Sequence, residues 1–151
     1  MDKLEKRVKS VAEQVFDCEA NEVFEPVMVS KGFISFVRQI TWLSAMGHGW
    51  GNGYVICDKS TNIYKRFVRS REHSEYNPIF EGLDAHKGLT FASLGEDTLV
   101  IGFATVHAGD SSRITKERVV DLTKMLHNSV IELENKLETN LIKWIFKKIF
   151  N

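Results

Sequence analysis

The stretch GLTFASLGEDTLVIGFATVHAGD, residues 88–110, decides the fold because two strand patterns surround a turn. Residues 88–93 and 98–105 are rich in apolar and β-branched types, and LGED at 94–97 supplies the turn. This arrangement predicts an antiparallel hairpin. The second strand, TLVIGFAT, is almost entirely apolar, which predicts a place in the interior of the sheet.

Further strand patterns lie upstream of the hairpin. GFISFVRQITWL at 32–43 predicts one long strand or two short ones, after a turn around residues 21–26. YVIC at 54–57 predicts a short strand. Between these two segments, MGHGWGNG at 46–53 has a glycine at every second position from 47 onward. Such a run predicts tight turns or the close approach of another group to the backbone.

Residues 58–85 are polar with scattered apolar positions, and they predict a long loop. Arg66, Arg69 and Arg71 lie in this segment and are candidates for an anion-binding arm. The other interpretation, which we favour, is a solvated surface.

Helical patterns flank the strands. Residues 2–19 predict an amphipathic helix, and residues 114–137 carry the longest apolar stripe of the chain. The last residues, 138–151, predict a separate short amphipathic helix. We therefore expect one α+β domain over residues 1–151, in which 1–137 form the core. Its antiparallel sheet of about four to five strands is flanked by the N-terminal and long C-terminal helices.

The terminal segment NLIKWIFKKIFN combines apolar and aromatic residues with lysines. It is a candidate for lying on an anionic membrane surface, or for packing on the domain or on a second copy of the chain. Because it is only about three turns long, we favour packing on protein. A homo-oligomer through the C-terminal helix is thus one expected partner arrangement.

The composition excludes several classes of protein. Lysine plus arginine equals aspartate plus glutamate, so the net charge is zero, which argues against general nucleic-acid binding. Cys18 and Cys57 show no CxxC spacing and no disulfide framework. There is no secretory signal pattern, and no stretch approaches the roughly 18 apolar residues of a transmembrane helix. We therefore expect a cytoplasmic protein.

Three histidines share a polar context near glycines or strand ends. His86 precedes the first strand of the hairpin and His107 follows the second, while His48 lies in the glycine-rich segment. In an antiparallel hairpin the start of one strand lies beside the end of the next, so His86 and His107 are expected to be neighbours. Asp110 lies three residues beyond His107. His127, inside the long helix pattern, is interpreted as structural.

Such a cluster suits three kinds of chemistry. His86, His107 and Asp110 are candidate catalytic residues or ligands for a divalent metal, although no metal or other cofactor is required by a specific motif. Histidine also suits acid–base work near neutral pH. Alternatively, the cluster hydrogen-bonds a small polar ligand such as a nucleotide. For each histidine, capping of a strand end remains the structural alternative.

The binding hypothesis places aromatic and basic side chains around the same ligand. The candidates to stack on a base are Trp50, Tyr54, Phe91 and Phe103. The candidates to contact phosphates are Lys87, Arg113 and the arginines of residues 58–85. For each aromatic residue we favour an ordinary core position, because aromatic residues of strands usually pack in the core. The full candidate set is His48, Trp50, Asn52, Tyr54, His86, Lys87, Thr90, His107, Asp110 and Arg113.

The segments GNGYV, HKGLTF and GFATVHAGD resemble a family of small proteins from phages and other mobile elements. That family has a GYV strand, an HGGLTF motif and a GFDxxHxGD motif in this order. The resemblance covers about residues 46–110, and Lys87 and Ala104 depart from the family's glycine and aspartate. The matching residues in the second and third motifs are His86, Gly88, Leu89, Thr90, Gly102, Phe103, His107, Gly109 and Asp110.

The resemblance implies two functions, with the host cytoplasm as location if the chain is phage-encoded. One is a binding protein that sequesters a nucleotide-derived defence signal in a His-rich pocket. The other is a metal- or histidine-dependent hydrolase acting on a small phosphorylated or nucleotide substrate. Ala104 removes a carboxylate, and no nucleophile motif is present, so binding is favoured over catalysis. A protein-interaction domain that uses its C-terminal helix is a third hypothesis.

Overall fold

Five antiparallel strands form one sheet that has a long helix on one face and a shorter helix on the other. The computed structural model describes residues 2–18, 22–40, 49–105 and 114–150. The elements are α1 Lys3–Val15, β1 Phe24–Ser30, β2 Phe33–Gln39, β3 Gly51–Asp58, α2 Asn62–Arg69, a 3₁₀ turn Pro78–Phe80, β4 Phe91–Gly95, β5 Thr98–Phe103 and α3 Lys116–Phe150. The predicted α+β class is confirmed.

The strand order is β1-β2-β3-β5-β4, so the predicted hairpin of β4 and β5 joins the sheet through its second strand. Every residue of β5 is buried, which confirms its interior position. Alternation along β3 divides the core: Val55 and Cys57 face α3, whereas Tyr54 and Ile56 face α1. Both cysteines are free thiols, and burial raises the pKa of Cys57, the fully buried one.

The sequence analysis did not predict β1, because it interpreted residues 21–26, which include Pro26, as a turn. Proline lacks the N–H that an interior strand must donate, but an edge strand tolerates it. The strand β1 is such an edge, and its register with β2 shifts between Pro26 and Met28. The strand predicted from residues 32–43 corresponds to β2, which ends at Gln39. The part of that prediction that falls on residues 41–43 lies outside the described residues.

The predicted loop at 58–85 was wrong, since it contains α2 and the 3₁₀ turn. Thr61 caps α2 by accepting a hydrogen bond from the Tyr64 N–H at 3.2 Å. The buried side chains Ile63 and Phe67, four residues apart, hold the helix against the core. One such pair in a short helix is too weak a pattern to separate from a loop.

The long helix α3 continues without a break to Phe150, so the predicted terminal helix is its last part and no separate element. Its buried residues, from Val119 to Leu137, pack on the sheet, and all residues from 138 to 150 are exposed. The helix therefore extends past the domain it covers. In the part of the chain that the structure describes, none of the helices combines the length and the apolar content that a transmembrane span requires.

Candidate functional site

The loop before β4 lies beside the end of β5, as the hairpin prediction requires. The Thr90 N–H donates to the Gly102 carbonyl at 3.0 Å, and the ring of His86 lies 6.3 Å from the ring of Phe103. Strand pairing thus brings His86 to the point where the chain leaves β5. The partners predicted for it, His48, His107, Asp110 and Arg113, lie outside the described residues. The proximity of His86 and His107 therefore stays a prediction.

Asn52 joins the ends of β3 and β5. Its side-chain oxygen accepts a hydrogen bond from the Thr105 N–H at 3.2 Å, and its amide donates to the Tyr54 hydroxyl at 3.3 Å. The Thr105 hydroxyl donates to the Gly51 carbonyl at 2.7 Å. Asn52 and Tyr54 are both buried, and burial raises the pKa of Tyr54. Their observed contacts stabilise the fold, and a contact with a ligand stays a prediction.

The sheet separates the candidate residues into two groups. Tyr54 packs in the cluster under α1, whereas Phe103, which His86 contacts, packs in the cluster under α3. Trp50 belongs to the α3 side, and its backbone N–H donates to the Ile114 carbonyl at 3.1 Å. A ligand that touches both Tyr54 and His86 must therefore cross the rim of the sheet. The sequence pattern did not reveal this division.

The remaining polar candidates of the β4 loop are exposed. Lys87 has a φ of 53° and Gly88 a φ of 92°, so two successive residues adopt the left-handed conformation. Lys87, Gly88 and Thr90 are all accessible to solvent, while His86 is half-buried. Within the described residues no group of three histidine, cysteine or acidic side chains is placed to hold a metal ion.

An ion pair on the α1 side was missed by the sequence analysis. Arg38 donates to the Glu22 carboxylate at 2.6 Å, and its guanidinium lies 4.3 Å from the centre of the Phe16 ring. Burial acts to lower the pKa of Arg38, but its hydrogen bond to Glu22 and nearby charges raise it overall. The guanidinium of Arg38 lies against the rings of Phe16 and Phe24 at the edge of the aromatic cluster under α1. We therefore interpret the ion pair as a structural feature. No spacing in the sequence indicates it, because Glu22 and Arg38 meet only through the β1–β2 pairing.

His127 is fully buried in α3, and its Nε2 lies 2.8 Å from the Ser30 hydroxyl at the end of β1. Its Nδ1 is buried without a hydrogen-bond partner in the described structure. Burial lowers the pKa of His127 below the ordinary value of 6.5. The neutral ring is therefore the form that the folded domain accommodates.

This burial predicts a loss of stability at mildly acidic pH. The unfolded chain keeps the ordinary histidine pKa of 6.5, so it takes up a proton before the folded chain does. The contribution of neutral His127 to the free energy of unfolding is complete at pH values above 6.5. It declines as the pH falls from 6.5 toward the lower pKa of His127 in the folded domain. Urea unfolding at a series of pH values should show this decline. The His127→Gln variant has no titratable group at this position, so its free energy of unfolding should decline less over the same pH range. An equal decline in both proteins would show that His127 is not the cause.

Two basic clefts border α2 and the outer half of α3. One, of about 320 Å³, is lined by Asn62, Lys65, Arg66, Arg69, Leu137 and Leu141. The other, of about 540 Å³, is lined by Arg66, Ser70, Asn77, Pro78, Ile79, Leu133, Lys136, Leu137 and Asn140. Among the residues that the structure describes, neither lining contains a carboxylate. The arginines considered as a loop arm are therefore partly held by a helix, and Arg66 belongs to both clefts.

The last turns of α3 expose large apolar side chains. Trp144 is 57% exposed, Phe146 62%, and Ile149 and Phe150 68% each. Leu141, Ile142 and Ile145 are exposed as well. Lysines 143, 147 and 148 are the only charged residues of the segment 139–150. An exposed apolar surface of this kind marks a contact with another molecule.

No protein-family model, curated protein or solved structure matches this chain.

Proposed function

We propose that this domain attaches to an anionic membrane surface through residues 139–150 of α3, named here the terminal segment. The observation that carries the proposal is the exposure of its apolar side chains, each between 42% and 68%. Exposure of these side chains to water is unfavourable by about 25 cal/mol per Å² of apolar surface. Burial of the segment in the interface of a bilayer removes that cost.

The distribution of the apolar residues around the helix favours a lipid surface over a second helix. Successive residues of an α-helix are rotated by about 100°. Leu141 and Ile145 therefore share one face, Ile142 and Phe146 lie on a second face, and Trp144 lies on a third. A partner helix covers one stripe, whereas lipid surrounds several sides of an embedded helix at once. Packing against a second copy, one of the two protein contacts expected from the sequence, leaves part of this surface in water.

The charges of the terminal segment point in the same direction. It contains three lysines and no acidic residue, and the acidic residue Glu138 immediately precedes it in the sequence. Two parallel copies bring like charges together, whereas anionic head groups attract them by about 1 kcal/mol per basic residue. Lysine stems also extend along apolar surface and keep their ammonium groups in water. Trp144 and Phe146 are of the aromatic type that such interfacial helices carry.

Sedimentation with lipid vesicles tests the proposal. We expect the protein to pellet with vesicles of phosphatidylcholine mixed with phosphatidylglycerol, and to pellet much less with phosphatidylcholine alone. Added salt should weaken the binding by screening the lysines. Absence of binding to both vesicles would contradict the proposal, and so would a stable lipid-free oligomer whose terminal segment is protected from protease.

A second proposal concerns the loop before β4. His86 lies half-buried against Phe103 while Lys87 and Thr90 are exposed beside it, an arrangement suited to one wall of a site for a small nucleotide-type ligand. We propose that this wall binds and retains such a ligand. Hydrolysis of the ligand by the histidines is the enzymatic alternative.

Incubation with candidate cyclic nucleotides separates these two functions. Release of intact ligand after denaturation supports binding, whereas recovery of hydrolysed product identifies an enzyme. Stoichiometric zinc or manganese that is lost in the variants His86→Ala and His107→Ala would also favour the enzyme. If both variants fold and bind the ligand as tightly as the parent chain, the proposal of a binding site at His86 and His107 is wrong.

A further inference from the structure

We infer that the smaller basic cleft, lined by α2 and α3, binds the phosphate group of an anionic phospholipid. This inference rests on the proposed membrane attachment and adds the lipid chemistry that the domain selects. The cleft lies where α2 crosses α3 just before the terminal segment begins, and Leu141 belongs to both. A head group in the cleft is therefore adjacent to the apolar side chains proposed to enter the bilayer.

The charge of the cleft is uniformly positive. Lys65, Arg66 and Arg69 line it, all three are exposed, and none forms an ion pair with another described residue. Lys136 extends the same charge into the neighbouring cleft, which shares Arg66. Guanidinium groups donate paired hydrogen bonds to phosphate oxygens, so this lining suits a phosphate group.

Glu134 of α3, a carboxylate next to the start of α2, is already engaged in hydrogen bonds. The Glu134 carboxylate accepts hydrogen bonds from the Asn62 N–H at 2.8 Å and from the Ile63 N–H at 3.0 Å, so both of its oxygens serve the start of α2. It also accepts from the Asn62 side chain at 3.1 Å. The arginines are therefore left available to an external anion.

The volume and floor of the cleft suit a phospholipid head group. Its volume of about 320 Å³ lies at the lower end of the range of small-ligand sites, roughly 300–1,000 Å³. Leu137 and Leu141 provide an apolar floor beneath the basic rim. A phosphate bound at the rim places its glycerol and acyl chains along the exposed side of α3.

The test compares two charge-matched double variants. Arg66→Gln with Arg69→Gln removes two charges from the cleft, and Lys6→Gln with Lys9→Gln removes two from the exposed side of α1 on the opposite face of the sheet. On vesicles with phosphatidylglycerol, the cleft variant should bind about thirtyfold more weakly than the parent, at about 1 kcal/mol per basic residue. The α1 variant should bind within about threefold of the parent.

Vesicles that carry oleate instead of phosphatidylglycerol, at matched surface charge, isolate the contribution of the phosphate. The parent chain should prefer phosphatidylglycerol, and the cleft variant should lose that preference. Equal losses in the two double variants would overturn the cleft while leaving membrane attachment intact. If the parent binds neither vesicle, the proposed function itself fails. Saturable binding of inorganic phosphate without vesicles, lost in the cleft variant, would identify free phosphate and overturn the lipid assignment.

Discussion

Replacing Trp144 and Phe146 with glutamate is expected to weaken binding to anionic vesicles by about a thousandfold. Complete burial of an aromatic side chain is worth roughly 1.5–3 kcal/mol, and these two side chains are 57% and 62% exposed in the free domain. Together they supply about 2–3 kcal/mol on insertion. The two new carboxylates add repulsion from the head groups of about 1 kcal/mol each. The sum of about 4 kcal/mol corresponds to the stated change in affinity.

The same substitutions should leave the fold intact, because neither side chain contributes to the buried core. Thermal unfolding should occur within about 2 °C of the parent temperature, since surface changes rarely exceed ±0.5 kcal/mol. The matched control is Trp144→Leu with Phe146→Leu, which keeps the segment apolar and should retain most of the binding. A glutamate variant that binds as tightly as this control would contradict insertion of the terminal segment.

Gly53→Ala is expected to destabilise the domain by about 3 kcal/mol, at the upper end of the usual cost of overpacking a core. A Cβ at Gly53 meets the Thr123 hydroxyl of α3 and two carbons of the Phe103 ring, at 2.6 and 2.7 Å. Since β3 pairs with both β2 and β5, the strand cannot move away. The helix must therefore shift outward and lose contact with the sheet. Urea unfolding measures the loss.

The double variant Gly53→Ala with Thr123→Ala identifies the cause. Removing the Thr123 hydroxyl relieves one of the two contacts, so the double variant should be more stable than the sum of the two single effects predicts. The Thr123 hydroxyl donates to the Val119 carbonyl at 2.7 Å, so the single Thr123→Ala variant is measured as well. Strict additivity would show that the contact with α3 is not the source of the strain.

The glycine pattern illustrates what the sequence reveals about this fold. The run at 46–53 predicted tight turns or close approaches, and the structure shows a close approach at Gly53. It shows another at Gly102, for which the sequence analysis made no prediction. At Gly102 a Cβ meets the Tyr54 ring on the α1 side of the sheet. Neither the approaching atoms nor the side of the sheet follows from the spacing, because both depend on how the helices pack.

The elements that the sequence missed share a physical reason. The strand β1 contains Pro26, which only an edge position tolerates, and the edge exists only once the sheet is assembled. The helix α2 depends on Thr61 and Glu134, and Glu134 comes from α3, distant in sequence. The basic cleft forms only where α2 packs against α3. The sequence pattern of residues 58–85 therefore could not predict that their arginines line a cleft with residues of α3.

The sequence predicted only part of the geometry of the candidate site, because the rest depends on the packing of elements that are distant in sequence. The hairpin rule placed His86 beside the end of β5, where its ring lies near Phe103. The rule did not assign Tyr54 and Phe103 to opposite faces of the sheet, which requires the full register of β3 and β5. The exposed terminal segment was visible in the sequence as a pattern, but its separation from the domain required the continuous course of α3.

Quenching of Trp144 by lipid tests the membrane attachment most directly. In a chain that carries Trp42→Phe and Trp50→Phe, Trp144 is the sole tryptophan. We expect its fluorescence to be strongly quenched by vesicles that contain phosphatidylglycerol and brominated acyl chains, and little by brominated phosphatidylcholine alone. A chain that sediments with the anionic vesicles while Trp144 stays unquenched would show that the protein binds by another surface.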